Sequence, residues 1–251
     1  MSQQEKQVVD FVITNVNVMT LDPNRTQAYG LLANGAVAVL EGKVVWIGEN
    51  SELPVFECHQ IVDGGGKFLS PGLIDCHTHM VFAGSRASEF EQRLTGVSYE
   101  EIARQGGGII STVNATRAAS EDELFELAKA RAEQLISEGV TSVEIKSGYG
   151  LNTESELKML KVARRVGEAL PLTVKTTFLG AHAIPPEYKG RGDEYIELLC
   201  EETLPHVAEL KLADAVDGFC ENIGFSAEQI AKIFDKAQSF GLPVKLHAEQ
   251  L

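Results

Sequence analysis

The sequence predicts an α/β protein, the first five strands of a TIM-type (β/α)8 barrel preceded by a small N-terminal β-sandwich domain. Three observations carry this. Up to about residue 65, short β-rich runs are separated by turn signals. Beyond it, apolar strands alternate with amphipathic helices, the rhythm of a parallel sheet covered by helices. The first of those strands ends in two histidines one residue apart, at the end of a barrel strand where barrel sites form. The expected domains are 1–65 and 66–251.

The N-terminal runs are "FVITNVNVM" (11–19), "GAVAVL" (35–40), "KVVWIG" (43–48) and "HQIVDG" (59–64), with "LDPN", "LEGK" and "GENSELP" between them. They predict a small antiparallel β domain, with Glu41-Gly42 as the two-residue turn of a hairpin. Candidate barrel strands follow at 68–79, 141–148, 172–180, 215–221 and 243–249. The helix at 120–139 opens with Ser120 and Glu123, a capping box, and stops at Gly139. The segment 152–170 repeats apolar residues at helical spacing, and 226–241 runs from a serine cap to a glycine. A complete barrel takes about 250 residues. About 185 follow residue 65, and they account for five strands before the pattern stops in "LHAEQL". The barrel is therefore expected to be unfinished within these residues.

With 44% hydrophobic residues the 251-residue chain has material for a sizeable core. A net charge of -14 repels polyanions, which argues against nucleic acid as a partner. The opening "MSQQEKQVVD" fits neither a secretory signal nor a transit peptide, and no apolar run reaches the roughly 20 residues of a membrane span. Cysteines 58, 76, 200 and 220 show no paired spacing and read as reduced thiols. A cytoplasmic protein without membrane partners is the expectation.

Side chains at i and i+2 of a strand share a face, so His77 and His79 project together while Cys76 and Thr78 point away. Two convergent imidazoles suit Zn²⁺ or Fe²⁺. Core histidines bonded to backbone are the plain alternative, but burying two such groups side by side without a cation or carboxylate is costly. His247, at the end of the apolar strand "PVKLH", is the natural third ligand. A cation with three neutral ligands lowers the pKa of water and polarises a carbonyl, which defines hydrolysis of a C–N or C–O bond. His182 lies on the same rim, as a site residue or a loop stabiliser; His59 and His206 read as ordinary packing or surface residues.

"SPGLIDCHTH" after a small β domain resembles the amidohydrolase superfamily, and four further blocks narrow the likeness. They are "VFAGSRASEFEQRLTGVSYEEIARQGGGIISTV", "EIKSGYGL", "TFLGAHAIPPEY" and "LHAEQL", which together look like its imidazolonepropionase family. The resemblance implies hydrolysis of 4-imidazolone-5-propanoate to N-formimidoyl-L-glutamate in histidine degradation, with one Zn²⁺ or Fe ion. Its metal ligands fall on His77, His79 and His247, and its substrate-carboxylate arginine on Arg86. A small anionic substrate entering an acidic protein needs such a fixed cation, and a guanidinium grips a carboxylate through two bonds. The alternative for Arg86 is a surface ion pair with Glu89 or Glu91.

Tyr149 and His182 fall on substrate-contacting positions of the family. Tyr99 and Gln250 are expected at the substrate too, Tyr99 with helix-start packing as its alternative. Glu249 is expected to support the site or face solvent, and Lys146 to be structural. The family's catalytic histidine and its proton-shuttling aspartate would fall after Leu251, so no general base is assigned within these 251 residues. The chain alone is therefore expected to be inactive or weakly metal-binding, as part of a longer enzyme or with a partner chain. The family also suggests a homodimer. Competing expectations are a superfamily deaminase acting on a purine or pyrimidine, against which Arg86 and Tyr149 argue, and a non-enzymatic fragment with exposed strand edges.

Overall fold

The computed structural model describes residues 7–96 and 107–249. The chain divides into two compact units, one ending at Gly72 and the other beginning at Leu73.

The first unit is a five-stranded mixed sheet. Its strands are β1 (Val8–Met19), β2 (Leu31–Leu40), β3 (Lys43–Glu49), β4 (Glu57–Asp63) and β5 (Phe68–Leu69). The order is β3-β2-β1-β4, with β5 also against β1. β2 and β3 form the expected antiparallel hairpin, and Glu41 and Gly42 at its turn both take positive φ (50° and 72°), as the turn demands. The antiparallel expectation needs one correction, since β4 and β5 run parallel to β1. The connection after β3 carries the chain past β2 to the far side of β1, so β4 enters in β1's direction. Val16, Val18, Leu32 and Val37 form one buried cluster of this unit, and Val9, Val12 and Ala38 another.

The second unit carries five parallel strands: β6 (Leu73–Thr78), β7 (Val140–Lys146), β8 (Thr173–Ala181), β9 (Ala215–Cys220) and β10 (Val244–Ala248). They lie in chain order, each beside the next. This is the (β/α) barrel order expected from the sequence. The strand expected over 68–79 is two strands, β5 and β6. Pro71 between them has no N–H for a ladder, and the two halves pair with different partners, β1 and β7.

Outward-pointing residues of the strands are apolar and pack under the helices. Val143 and Ile145 of β7 meet Leu124, Phe125 and Ala128 of helix Glu121–Ser137, and Met159, Val162 and Val166 of helix Thr153–Ala169. Phe178 and Val216 meet Tyr195, Leu199, Leu204 and Val207 of the helical run Gly192–Glu209, and Ile230 and Ile233 of helix Ala227–Ser239. Each fully buried side chain of this size contributes about 1.5–3 kcal/mol. The opposite side of the strands carries Glu144, Lys146, Thr177 and Asp217, all buried and all polar. That inversion of the usual pattern marks the inside of the barrel as the place to look for chemistry.

The long helices begin where their caps are. Glu123 donates its N–H to Ser120 Oγ at 3.2 Å, and its carboxylate accepts the Ser120 N–H at 2.8 Å. Ser226 and Gln229 repeat the box at Ala227–Ser239, and Asn152 Oδ1 accepts the Ser155 N–H at 2.8 Å. Helices Ala87–Leu94 and Ile109–Ala118 were not anticipated, because neither has a capping side chain or a long apolar repeat. Replacing the cap, Ser120→Ala, is expected to lower stability by about 1 kcal/mol. Urea unfolding measures this, and an unchanged midpoint would refute the cap's role.

Candidate metal centre and substrate pocket

His77 sits on β6, His79 just beyond its end, and His247 on β10. The structure brings their rings together. The His77 and His247 ring centroids are 4.6 Å apart, and those of His77 and His79 5.7 Å. His247 Nε2 stands 3.3 Å from Nδ1 and 3.4 Å from Nε2 of His77. Two nitrogens bound to one tetrahedral zinc at 2.0–2.1 Å would lie about 3.3–3.4 Å apart.

Three features of the histidines suit a cation. Nδ1 of His79 is buried without a hydrogen-bond partner among the described residues. Burial and the neighbouring histidines hold His79 down at about 3, so at neutral pH it is uncharged, the form able to ligate a cation. Burial, His247 and Lys146 likewise lower His77. The donor set therefore fits a nitrogen-liganded Zn²⁺ or iron. Among the described residues, however, no three His, Cys, Asp or Glu side chains already close around one point. His79 is instead stacked on His182, with ring centroids 5.1 Å apart and planes 11° from parallel.

Beneath the histidines lies a chain of buried charges. Lys146 Nζ donates to Glu144 Oε1 and, at 2.8 Å, to Asp217 Oδ2. Glu144 also accepts from Lys245 Nζ and from Thr177 Oγ1 at 2.7 Å. Asp217 Oδ2 in turn lies 2.9 Å from His247 Nδ1. Burial alone would raise the Glu144 carboxyl, but bonds from Lys146, Lys245 and Thr177 outweigh it and hold the group at about 2.

The 147–151 loop after β7 brings Tyr149 to the same rim. It is clamped from both sides. Glu156 accepts the N–H groups of Gly148 at 3.1 Å, and of Gly150 and Leu151 at 2.8 Å. Arg117 donates to the carbonyls of Gly150 at 2.6 Å and Leu151 at 2.9 Å. Position 148 must be glycine: φ is +106°, and a Cβ there would sit 2.8 Å from the Leu179 carbonyl. The Tyr149 ring lies 5.0 Å from His79 and 5.4 Å from His182. Burial raises its hydroxyl, which stays protonated as a donor. His182 Nδ1 is 2.8 Å from the Gly148 carbonyl, an acceptor only, so Nδ1 carries the proton and Nε2 keeps its lone pair.

Tyr149 also lines a cavity of about 420 Å³ with Phe82, Gly84, Ser85, Arg86, Thr112 and Arg131. Arg86 enters it from the start of helix Ala87–Leu94, while its Nε donates to Glu89 at 2.8 Å. The ion pair weighed in the sequence is thus present alongside the pocket position. Glu89 also accepts the Gly108 N–H at 3.1 Å, so the pair is anchored to a second segment. Arg131 donates to the carbonyls of Met80 and Phe82 at 2.8 Å and lies 3.7 Å over the Phe82 ring, fixing the turn that follows the histidine pair.

Tyr99 and Gln250 lie outside the described residues. Glu249 is exposed, with positive φ. His206 is exposed in helix Leu204–Glu209, its Nδ1 2.7 Å from the Glu202 carbonyl, and His59 is exposed on β4. Sequence reasoning missed Glu144, Asp217, Lys245 and Glu156. A signal existed for the first three, a charge inside each of the otherwise apolar runs "TSVEIKSG", "AVDGFCE" and "PVKLHAE".

The depressed Glu144 carboxyl has a consequence for acid stability. Its contribution is present above its ordinary value of 4.5 and is lost as pH falls toward about 2. Unfolding followed across that window is expected to show a loss of stability that Glu144→Gln removes. An identical pH profile for the variant would contradict the pairing.

The amidohydrolase family profile matches residues 68–251. Imidazolonepropionase of Shewanella loihica (strain ATCC BAA-1088 / PV-4) is 58% identical over 244 residues, covering 96% of this chain and 60% of that protein. The enzyme of the same name from Shewanella oneidensis is 57% identical with the same coverage. The chain thus spans about 60% of the length of these curated relatives. Among solved structures, 5-methylcytosine deaminase from Klebsiella pneumoniae superposes with a TM-score of 0.62 at 17% identity, over 96% of this chain and 51% of that one. A triazine hydrolase from Arthobacter aurescens gives 0.62 at 16% identity, over 96% and 53%. At such identities the two structures speak for the fold alone. With a family profile covering the whole parallel sheet and its histidine rim, the chain belongs to the amidohydrolase family.

Proposed function

We propose that the enzyme carrying this chain hydrolyses 4-imidazolone-5-propanoate to N-formimidoyl-L-glutamate, a step of histidine degradation. The observation that carries this is the meeting at one rim of three imidazoles, a tyrosine hydroxyl and an arginine-lined cavity. The name borne by relatives at 57–58% identity supports the same reaction.

His77, His79 and His247 would hold one Zn²⁺ or iron ion. When bound, such an ion supplies a Lewis acid for the ring carbonyl and lowers the pKa of water toward 7. Holding and orienting the substrate falls to this chain. Arg86 grips the propanoate carboxylate of a substrate that the protein's net charge of -14 would otherwise repel. Tyr149, kept protonated by burial, donates a hydrogen bond to the substrate. His182, its Nδ1 committed to the Gly148 carbonyl, presents Nε2 to accept from a ring N–H. Phe82 and Tyr149 supply apolar surface against the ring. Water adds at the carbonyl carbon, the lactam C–N bond breaks, and the nitrogen leaves with a proton. Tyr99 and Gln250 complete the substrate contacts in this reading.

The setting is cytoplasmic. No helix among the described residues is long and apolar enough to cross a membrane, and all four cysteines are free thiols. The homodimer rests on family likeness alone.

Turnover of imidazolonepropanoate compared with that of cytosine and guanine tests the assignment. Activity on the first alone is expected, and activity confined to the bases would overturn it. Arg86→Ala is expected to raise KM for imidazolonepropanoate roughly 10–100-fold with little change in kcat, the loss of one charge-assisted grip. Arg86→Lys restores the charge but not the two-pronged geometry, so it is expected to recover only part of the loss. An unchanged KM in both variants would remove Arg86 from the substrate.

A further inference from the structure

We propose that Asp217 is a positioning residue that locks the His247 imidazole as its Nδ1–H tautomer and turns the bare Nε2 toward His77. The inference deepens the metal-site reading and rests on it for its consequence, but the tautomer itself does not require a metal.

Asp217 on β9 pairs with Lys245 on β10, so His247, two residues further along, lies on the same side of the sheet. Asp217 Oδ2 is 2.9 Å from His247 Nδ1. A carboxylate oxygen accepts and never donates, and its negative charge at that distance favours the tautomer with an N–H at Nδ1 over the one with a lone pair there. The proton therefore resides on Nδ1, although the approach lies off the N–H axis and no aligned hydrogen bond forms. Nε2, on the other side of the ring, is the atom 3.3 Å from His77.

Asp217 is in turn unable to swing away. Its side chain is 1% exposed, Oδ1 accepts the Gly218 N–H at 2.8 Å, and Oδ2 accepts from Lys146 Nζ at 2.8 Å. Lys146 is itself fixed by Glu144. The chain Glu144–Lys146–Asp217–His247 thus runs from the barrel interior to the rim and ends on a nitrogen lone pair. A carboxylate behind a ligating histidine sets its tautomer and raises its basicity, and losing such a partner typically weakens metal binding 10–100-fold.

The test is long-range proton–nitrogen correlation NMR of the histidine side chains in the ¹⁵N-labelled, metal-free protein at pH 8. The wild type is expected to show His247 as Nδ1–H with a bare Nε2. In Asp217→Asn the His247 signal is expected to shift toward Nε2–H, with far-UV circular dichroism unchanged. Wild-type His247 as Nε2–H, or as a rapidly exchanging mixture, would overturn the proposal, and the wild-type spectrum decides this even if the variant fails to fold. Co²⁺ titration of the full-length enzyme carrying this chain and of its Asp217→Asn variant, read by the visible absorption of the ion, provides the second arm. A 10–100-fold weaker affinity in Asp217→Asn supports the positioning role; equal affinity and an unchanged spectrum overturn it. A wild type that is Nδ1–H yet takes up no Co²⁺ supports the tautomer and refutes the metal-site reading, so the two failures are distinguishable.

Discussion

A charge can be buried inside a parallel sheet only if it is paired, and that constraint organises this molecule. The Lys146 ammonium is 3% exposed and rests between the carboxylates of Glu144 and Asp217. Removing one member would leave an uncompensated buried charge, which costs far more than the pair contributes. The three residues come from two strands, β7 and β9, so their pairing holds those strands in one register across β8. Thr177 of β8, between them, completes the contact by donating to Glu144. What the network gains is less stability than orientation: its acidic end lies against His247, and the histidine rim is built on it.

The same economy governs the loops. Tyr149 and His182 follow β7 and β8 directly, where a strand end is rigid and a following loop has room to vary. Glu156 and Arg117 hold the Tyr149 loop through its own N–H and C=O groups, so its backbone is satisfied without becoming a strand. His182 closes the circle by donating to the Gly148 carbonyl of that loop. The His182 side chain and the Tyr149 loop thus fix each other's position.

Much of this was legible in the sequence. The strand–helix alternation gave the barrel order because outward strand residues such as Val143 and Ile145 are apolar at period two, and the helices facing them are amphipathic. The HxH pair and the terminal histidine of β10 were legible because chemistry at a strand end needs side chains on one face. Asp217 and Glu144 were not. A charge inside an apolar strand reads equally as a solvent-facing residue or an interior one, and only the three-dimensional structure brings both carboxylates onto Lys146. The parallel pairing of β4 with β1 was hidden for a related reason: a connection's length does not reveal which edge of a sheet it reaches. Helix Ala87–Leu94, which carries the approach of Arg86, lacked the cap that made its longer counterparts visible.

The central claim is that His77, His79 and His247 share one cation. Zinc K-edge X-ray absorption of the metal-loaded enzyme tests it most directly. The expected result is a nearest shell holding three nitrogens at about 2.0–2.1 Å, with the outer-shell scattering of imidazole rings, and a reduction of that scattering in His247→Ala. A shell of sulfur at about 2.3 Å, or one of oxygen without imidazole scattering, would place the ion elsewhere and contradict the account.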